Sequence, residues 1–189
     1  MNLKGKIIAV TALLLMFPLA AFAQVDSLGK TDTLYADIAK IDDANWSVTF
    51  SYLNDEAVIA MSVPFKMTAG LNRIVADSIV YAPGKVDNFS YKGFRVDTAI
   101  QCVTMGLIAN LGPTDNKLEP GDGPFATVYI SSLEEKPIEK LHIDTTTTSP
   151  NNSLMIIADQ LQGVAPDTVR VSLEQTTIIP VFVVREPKK

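Results

Sequence analysis

The sequence predicts an all-β fold, a two-sheet antiparallel sandwich of about nine strands. Three observations predict it: apolar and polar side chains alternate residue by residue in several segments, Gly/Pro/Asn/Asp turn signals recur between them, and no convincing helical periodicity appears. A strand with one apolar face needs a second layer to cover it, so short strands of this kind pack as two facing sheets.

The chain opens on a different kind of segment. Lys4 and Lys6 precede an apolar run from Ile7 to Leu19, broken only by Thr11 and Pro18, and Ala21-Phe22-Ala23 offers small residues at the two positions that a signal peptidase reads. Residues 1–23 are therefore expected to be a signal peptide, cut between Ala23 and Gln24. The apolar core falls short of the roughly 20 residues that span a bilayer, so no stable membrane insertion is expected after cleavage. No cysteine stands near the cut to receive a lipid. The expected location is secreted or periplasmic.

Residues 24–43 read as a flexible leader or a first element. Leu34, Ile38 and Ile41 fall at helical spacing behind Asp32, which could cap a short helix, but Thr33–Ile41 reads equally as a first strand. From residue 44 the sandwich proper is expected, to residue 185. Trp46-Ser47-Val48-Thr49-Phe50-Ser51-Tyr52 alternates without exception and places its four large side chains on one face. Asn54-Asp55-Glu56 breaks it as a polar turn, and Val58–Met67 resumes it with Ile59, Met61, Val63 and Phe65 aligned. Pro64 removes a ladder donor, which predicts an edge or a bulge there. Further strands are expected over Asp77–Ala82, Gln101–Ala109, Phe125–Ser131, Ile138–Ile143, Leu154–Ala158, Thr168–Leu173 and Thr177–Val184, with turns at Pro83-Gly84, Gly112–Asn116, Glu119–Pro124, Ser149–Asn152 and Ala165–Asp167. Residues 186–189 form a polar tail.

Composition narrows the function classes. The chain holds 16 Lys and Arg against 21 Asp and Glu, and Lys4 and Lys6 are the only charges in residues 1–23. Such an acidic remainder lacks the clustered cations that bind phosphates, so no nucleic-acid partner is expected. The single cysteine, Cys102, sits in an apolar stretch and reads as a buried structural thiol. The single histidine, His142, alternates with Leu141 and Ile143 and reads as a surface residue on a strand. One Cys and one His leave no Cys/His zinc site and no Cys–His dyad within one chain.

Each remaining motif has a plain explanation. Leu118–Pro124 is rich in glycine but lacks the Lys-Ser/Thr of a phosphate loop and precedes a strand instead of a helix, so it reads as a turn. Asp115, Asn116, Glu119 and Asp122 gather around it. Calcium takes six to eight oxygens, but the alternating Asp/Asn ladder of a calcium loop is missing, and the segment is read as an acidic solvated loop. Asp42, Asp43 and Asn45 suit turn formation. Trp46 lies on the apolar stripe and belongs to the core. Tyr91 and Phe94 could be surface platforms in a loop, although packing beneath it is preferred. No Gly-x-Ser-x-Gly elbow or other catalytic constellation stands out. No catalytic residue, metal ligand or cofactor is therefore expected, and the sequence singles out no binding residue.

The succession Val48–Leu53, Asn54-Asp55, Val58–Phe65, Asp77–Val80, Val96–Thr98, Met105–Ile108 and Leu118-x-Pro120-Gly121-x-Gly123-Pro124-Phe125-Ala126, closing on Ile179–Val184, resembles the cohesin-like domains of bacterial extracellular proteins. The resemblance implies a nine-stranded jelly roll related to carbohydrate-binding modules, with members that dock onto dockerin modules through one flat sheet face. That mode of binding uses a surface, so no family motif transfers to named positions. The chain shows no dockerin loops, repeated cohesins or anchoring domain. The resemblance thus points to a non-catalytic recognition domain with a protein partner, dockerin-like in kind. A polysaccharide-binding module, a two-carboxylate glycosidase and an oligomeric surface protein are the alternatives.

Overall fold

The computed structural model describes residues 29–82, 85–111, 116–146, 154–159 and 177–187. The signal peptide, its cut between Ala23 and Gln24, the strand over 168–173 and the turns at 83–84, 112–115, 149–152 and 165–167 lie outside the described residues.

Eleven strands follow one another along the described chain: β1 (Thr33–Lys40), β2 (Asn45–Asn54), β3 (Val58–Thr68), β4 (Ile74–Tyr81), β5 (Tyr91–Asp97), β6 (Cys102–Ile108), β7 (Gly121–Ser132), β8 (His142–Thr145), β9 (Met155–Ala158), β10 (Thr177–Ile178) and β11 (Val181–Arg185). They form two sheets. The first runs β11-β1-β2-β7-β4 and the second β10-β9-β3-β6-β5, with β8 also paired to β3. Every pairing is antiparallel except β1 with β11, which is parallel.

Alternation in the sequence becomes sidedness in space. Val48, Phe50 and Tyr52 are wholly buried and Trp46 nearly so, while Ser47 and Thr49 between them remain partly open. On β3, Met61, Val63, Phe65 and Met67 face the same core. Phe50 meets Phe65 of the opposite sheet with ring centroids 4.8 Å apart and lies 6.3 Å from Phe125 of β7, so three rings join the layers. Tilted aromatic pairs of this kind contribute beyond the area that they bury. Asp42 closes the β1–β2 hairpin as its residue type suggests, its carboxylate accepting from the Ala44 and Asn45 amides at 2.8 Å each. Cys102 is buried and His142 is exposed on β8.

Of the two readings of residues 33–41 the structure shows the strand, over Thr33–Lys40, and Asp32 is buried with its carboxylate accepting from the Tyr52 hydroxyl. Three expectations need correction. The glycine-rich run is no turn: Gly121–Pro124 is the extended start of β7, pairing Gly121 with Asn54 and Pro124 with Ser51, and the register shift beside Phe50 and Ser51 absorbs the proline. Pro64 sits in a central strand. On one side it opposes Thr104; on the other it falls between the stretch that pairs with β9, ending at Ser62, and the stretch that pairs with β8, starting at Phe65, so a missing N–H coincides with a change of partner. Finally, the single strand expected over 177–184 is two. Pro180 interrupts the ladder, and the chain leaves the second sheet at Ile178 to join the first at Val181, whose amide donates to the Asp32 backbone carbonyl at 2.9 Å.

Candidate docking face

Register places the outward side chains of the second sheet in cross-strand rows. One row reads Tyr91, Ile108, Ala60, Ile157 and Thr177, and the next reads Gly93, Gly106, Ser62 and Met155. Arg95, Thr104 and the buried Pro64 form a third row, and Asp97, the buried Cys102, Lys66 and Asp144 a fourth. The first two rows hold no charged side chain. Charge enters only at the end of the face where Arg95, Asp97, Lys66 and Asp144 lie.

Tyr91, on the edge strand β5, shapes one side of this surface. Its side chain is 48% exposed and lies along the sheet over Gly93, where an added Cβ would collide with the phenol, and its ring edge is 3.8 Å from where a Cβ on Gly106 would stand. A tyrosine laid over a glycine pair covers backbone that would otherwise be bare and leaves a low, smooth relief. Beside it, Gly93, Gly106, Phe94, Arg95 and Thr104 border a depression of about 260 Å³. Behind β5, the Tyr81 hydroxyl donates to the Gly93 carbonyl at 3.2 Å. Burial, reinforced by the neighbouring Tyr91, pushes the Tyr81 pKa up to about 12, so this donor keeps its proton at ordinary pH.

Tyr91 and Phe94 belong to a strand, not a loop, and both are exposed. An odd spacing of three places them on opposite faces of β5: Tyr91 pairs with Ile108 on the outer side, whereas Phe94 pairs with the wholly buried Met105. Both nevertheless border the depression beside Gly93.

The outer face of the first sheet has a different chemistry. Ser47, Thr49 and Ser51 of β2 lie beside Thr127 and Tyr129 of β7, with Thr49 and Thr127 sharing a hydrogen bond of 3.0 Å. At its margin the Arg185 guanidinium stacks 3.8 Å from the Tyr35 ring and meets Asp37 at 3.1 Å. Leu53, Val80 and Tyr129 are also exposed on this face, interspersed among the hydroxyls and the paired charge.

The acidic loop disperses. Glu119 and Asp122 are exposed, Asp122 faces the Lys85 ammonium, and Asp115 lies outside the described residues. Among the described residues, the one grouping of three or more potential metal ligands is Asp32, Asp55 and Glu56, which sequence reading took for turn and leader residues. A groove of about 600 Å³ opens near the β3–β4 connection, lined by Asn72, Lys136, Glu139, Lys140 and His142 among others. It contains one carboxylate and no hydroxyl or thiol nucleophile.

No protein-family model matches the chain, and no curated protein matches it. Solved structures do. The OlpA cohesin in a type I cohesin–dockerin complex from Clostridium thermocellum superposes with a TM-score of 0.52 at 8% identity, over 84% of this chain and all of that one. The OlpC cohesin in a second such complex gives 0.52 at 7% identity over 87% and 99%. The sixth cohesin of scaffoldin B from Acetivibrio cellulolyticus, also in complex with a dockerin, gives 0.51 at 8% over 82% and 99%. The fold is that of a cohesin domain.

Proposed function

We propose that this chain is an exported, non-catalytic recognition module that binds a protein partner through the outer face of β5, β6, β3 and β9. The observation that carries the reading is the uncharged half of that face, two rows of small and apolar residues that include the exposed Tyr91 and Ile108, with charge confined to the other end. Interfaces of moderate size place aromatic and aliphatic anchors at a desolvated centre and polar groups at the rim. The similar cohesin folds stand in complexes with dockerins, which favours a dockerin-like partner here. Export is supported by the sequence of residues 1–23.

A carbohydrate-binding reading is less well supported, because the described residues of that face offer only Tyr91 and Phe94 as exposed rings, at register positions of opposite parity on β5. Capture from the native exported proteome on the immobilised protein distinguishes the two. The reading predicts recovery of a discrete protein that binds again when purified. Retention of polysaccharide with no protein bound would overturn it.

A further inference from the structure

We infer that Asp32, Asp55, Glu56 and the Asn54 side-chain oxygen form a calcium site at the end of the first sheet, apart from the docking face. One oxygen from each of the three carboxylates lies within 4.8 Å of the others. That spread suits a single ion with oxygens at 2.3–2.6 Å, since ligands on opposite sides of it stand about 5 Å apart. All four groups offer oxygen and none offers nitrogen or sulfur, which is the donor set of a hard cation.

Asn54 supplies the independent observation. The residue is 3% exposed, and its Nδ2 donates to the Glu56 carbonyl at 2.6 Å and the Glu119 carbonyl at 3.3 Å, but its Oδ1 is buried and accepts no hydrogen bond. An orphaned buried acceptor is destabilising, and a cation would satisfy it. Its placement agrees. Tyr52 and Asn54 share the inner face of β2, the Tyr52 hydroxyl donates to Asp32, and the amide of Asn54 is held against Glu56. The same neighbourhood is built to crowd carboxylates: the Lys30 amide donates to Asp55 at 2.7 Å, and Gly29, with φ of +65°, leaves room that any Cβ would take from the Asp55 carboxylate. Three carboxylates and an amide fall short of the six to eight oxygens that calcium takes, leaving water to complete the shell. Such a site belongs with extracellular modules that bind at about 10⁻⁴–10⁻³ M.

Thermal unfolding of the chelator-treated protein, titrated with CaCl₂ and with MgCl₂ at matched ionic strength, tests the site. The expected result is a midpoint that rises by about 3–6 °C at ten times the dissociation constant of calcium, with a smaller response to magnesium. Calcium affinity should fall at least tenfold in Asp55→Asn, whose exposed side chain makes the variant safe to fold, and in Glu56→Gln, while Asp122→Asn responds like the parent. Tb³⁺ emission sensitised by Tyr52, and displaced by CaCl₂, is a second readout. A midpoint indifferent to calcium with no sensitised emission would overturn the site, and so would a response kept in Asp55→Asn and lost in Asp122→Asn.

Discussion

Tyr52 carries its phenol into the buried end of the first sheet and spends it on one acceptor, the Asp32 carboxylate, with Tyr52 wholly buried and Asp32 1% exposed. A hydrogen bond to a charged group is worth about 1.5–3 kcal/mol. Tyr52→Phe keeps the ring and removes the donor, so denaturant unfolding should show a loss of that size with an unchanged denaturant dependence. Asp42 acts on the surface. Hydrogen bonds from the Asn45 side chain and then from the Ala44 amide hold its carboxyl below the ordinary 3.8. A carboxylate favoured in the folded state contributes stability that is full above the unfolded pKa and is lost as pH falls through the lowered folded value. Asp42→Ala should therefore be less stable than the parent at neutral pH, with the gap narrowing below about pH 4. A gap that is constant between pH 7 and pH 2 would contradict the assignment.

At the scale of the elements, what could be read depended on how one-sided each strand is. β2 and β3 each press one face against the core, and their alternation announced them. β5 was invisible. As an edge strand it is partly solvated on both faces, so Tyr91–Asp97 carries no alternation, and Gly93 breaks what pattern remains. The docking face was hidden with it, because Tyr91 acquires its role only when register sets it beside Gly106 and Ile108. The acidic site was lost for a related reason. Asp32 lies more than twenty residues from Asp55 and Glu56, and only the pairing of β1 with β2 brings them together. The sandwich itself and the Asp42 turn were legible since both follow from local residue chemistry. β11 illustrates the cost of long-range pairing: it shields one edge of β1 in parallel register from Thr33–Val181 to Asp37–Arg185. A chain ending at residue 180 should bare that edge, unfold at lower temperature and self-associate, as light scattering after size exclusion would show. A monomer with an unmoved midpoint would count against it.

Across the whole molecule, the two sheets are joined by the ring cluster of Phe50, Phe65 and Phe125, drawn from three strands and both layers. Phe50→Ala opens a cavity where all three meet and should cost about 3–5 kcal/mol of stability, measured by denaturant unfolding. A loss below 1 kcal/mol would mean that the sheets are held elsewhere. With the core so occupied, the two outer faces are what the molecule offers to others, and they differ in kind: one mixes hydroxyls and a paired charge with scattered apolar side chains, the other has two adjoining uncharged rows with charge at the opposite end. The central claim is that the second of these binds the partner. Its most direct test is calorimetric titration of the captured partner against Gly106→Arg, which plants a charged side chain in the middle of the β3–β6–β5 face, and against Thr127→Arg, the matching change on the opposite face. The account predicts at least a hundredfold weaker binding for Gly106→Arg and parental affinity for Thr127→Arg; parental affinity for Gly106→Arg with binding lost in Thr127→Arg would contradict it.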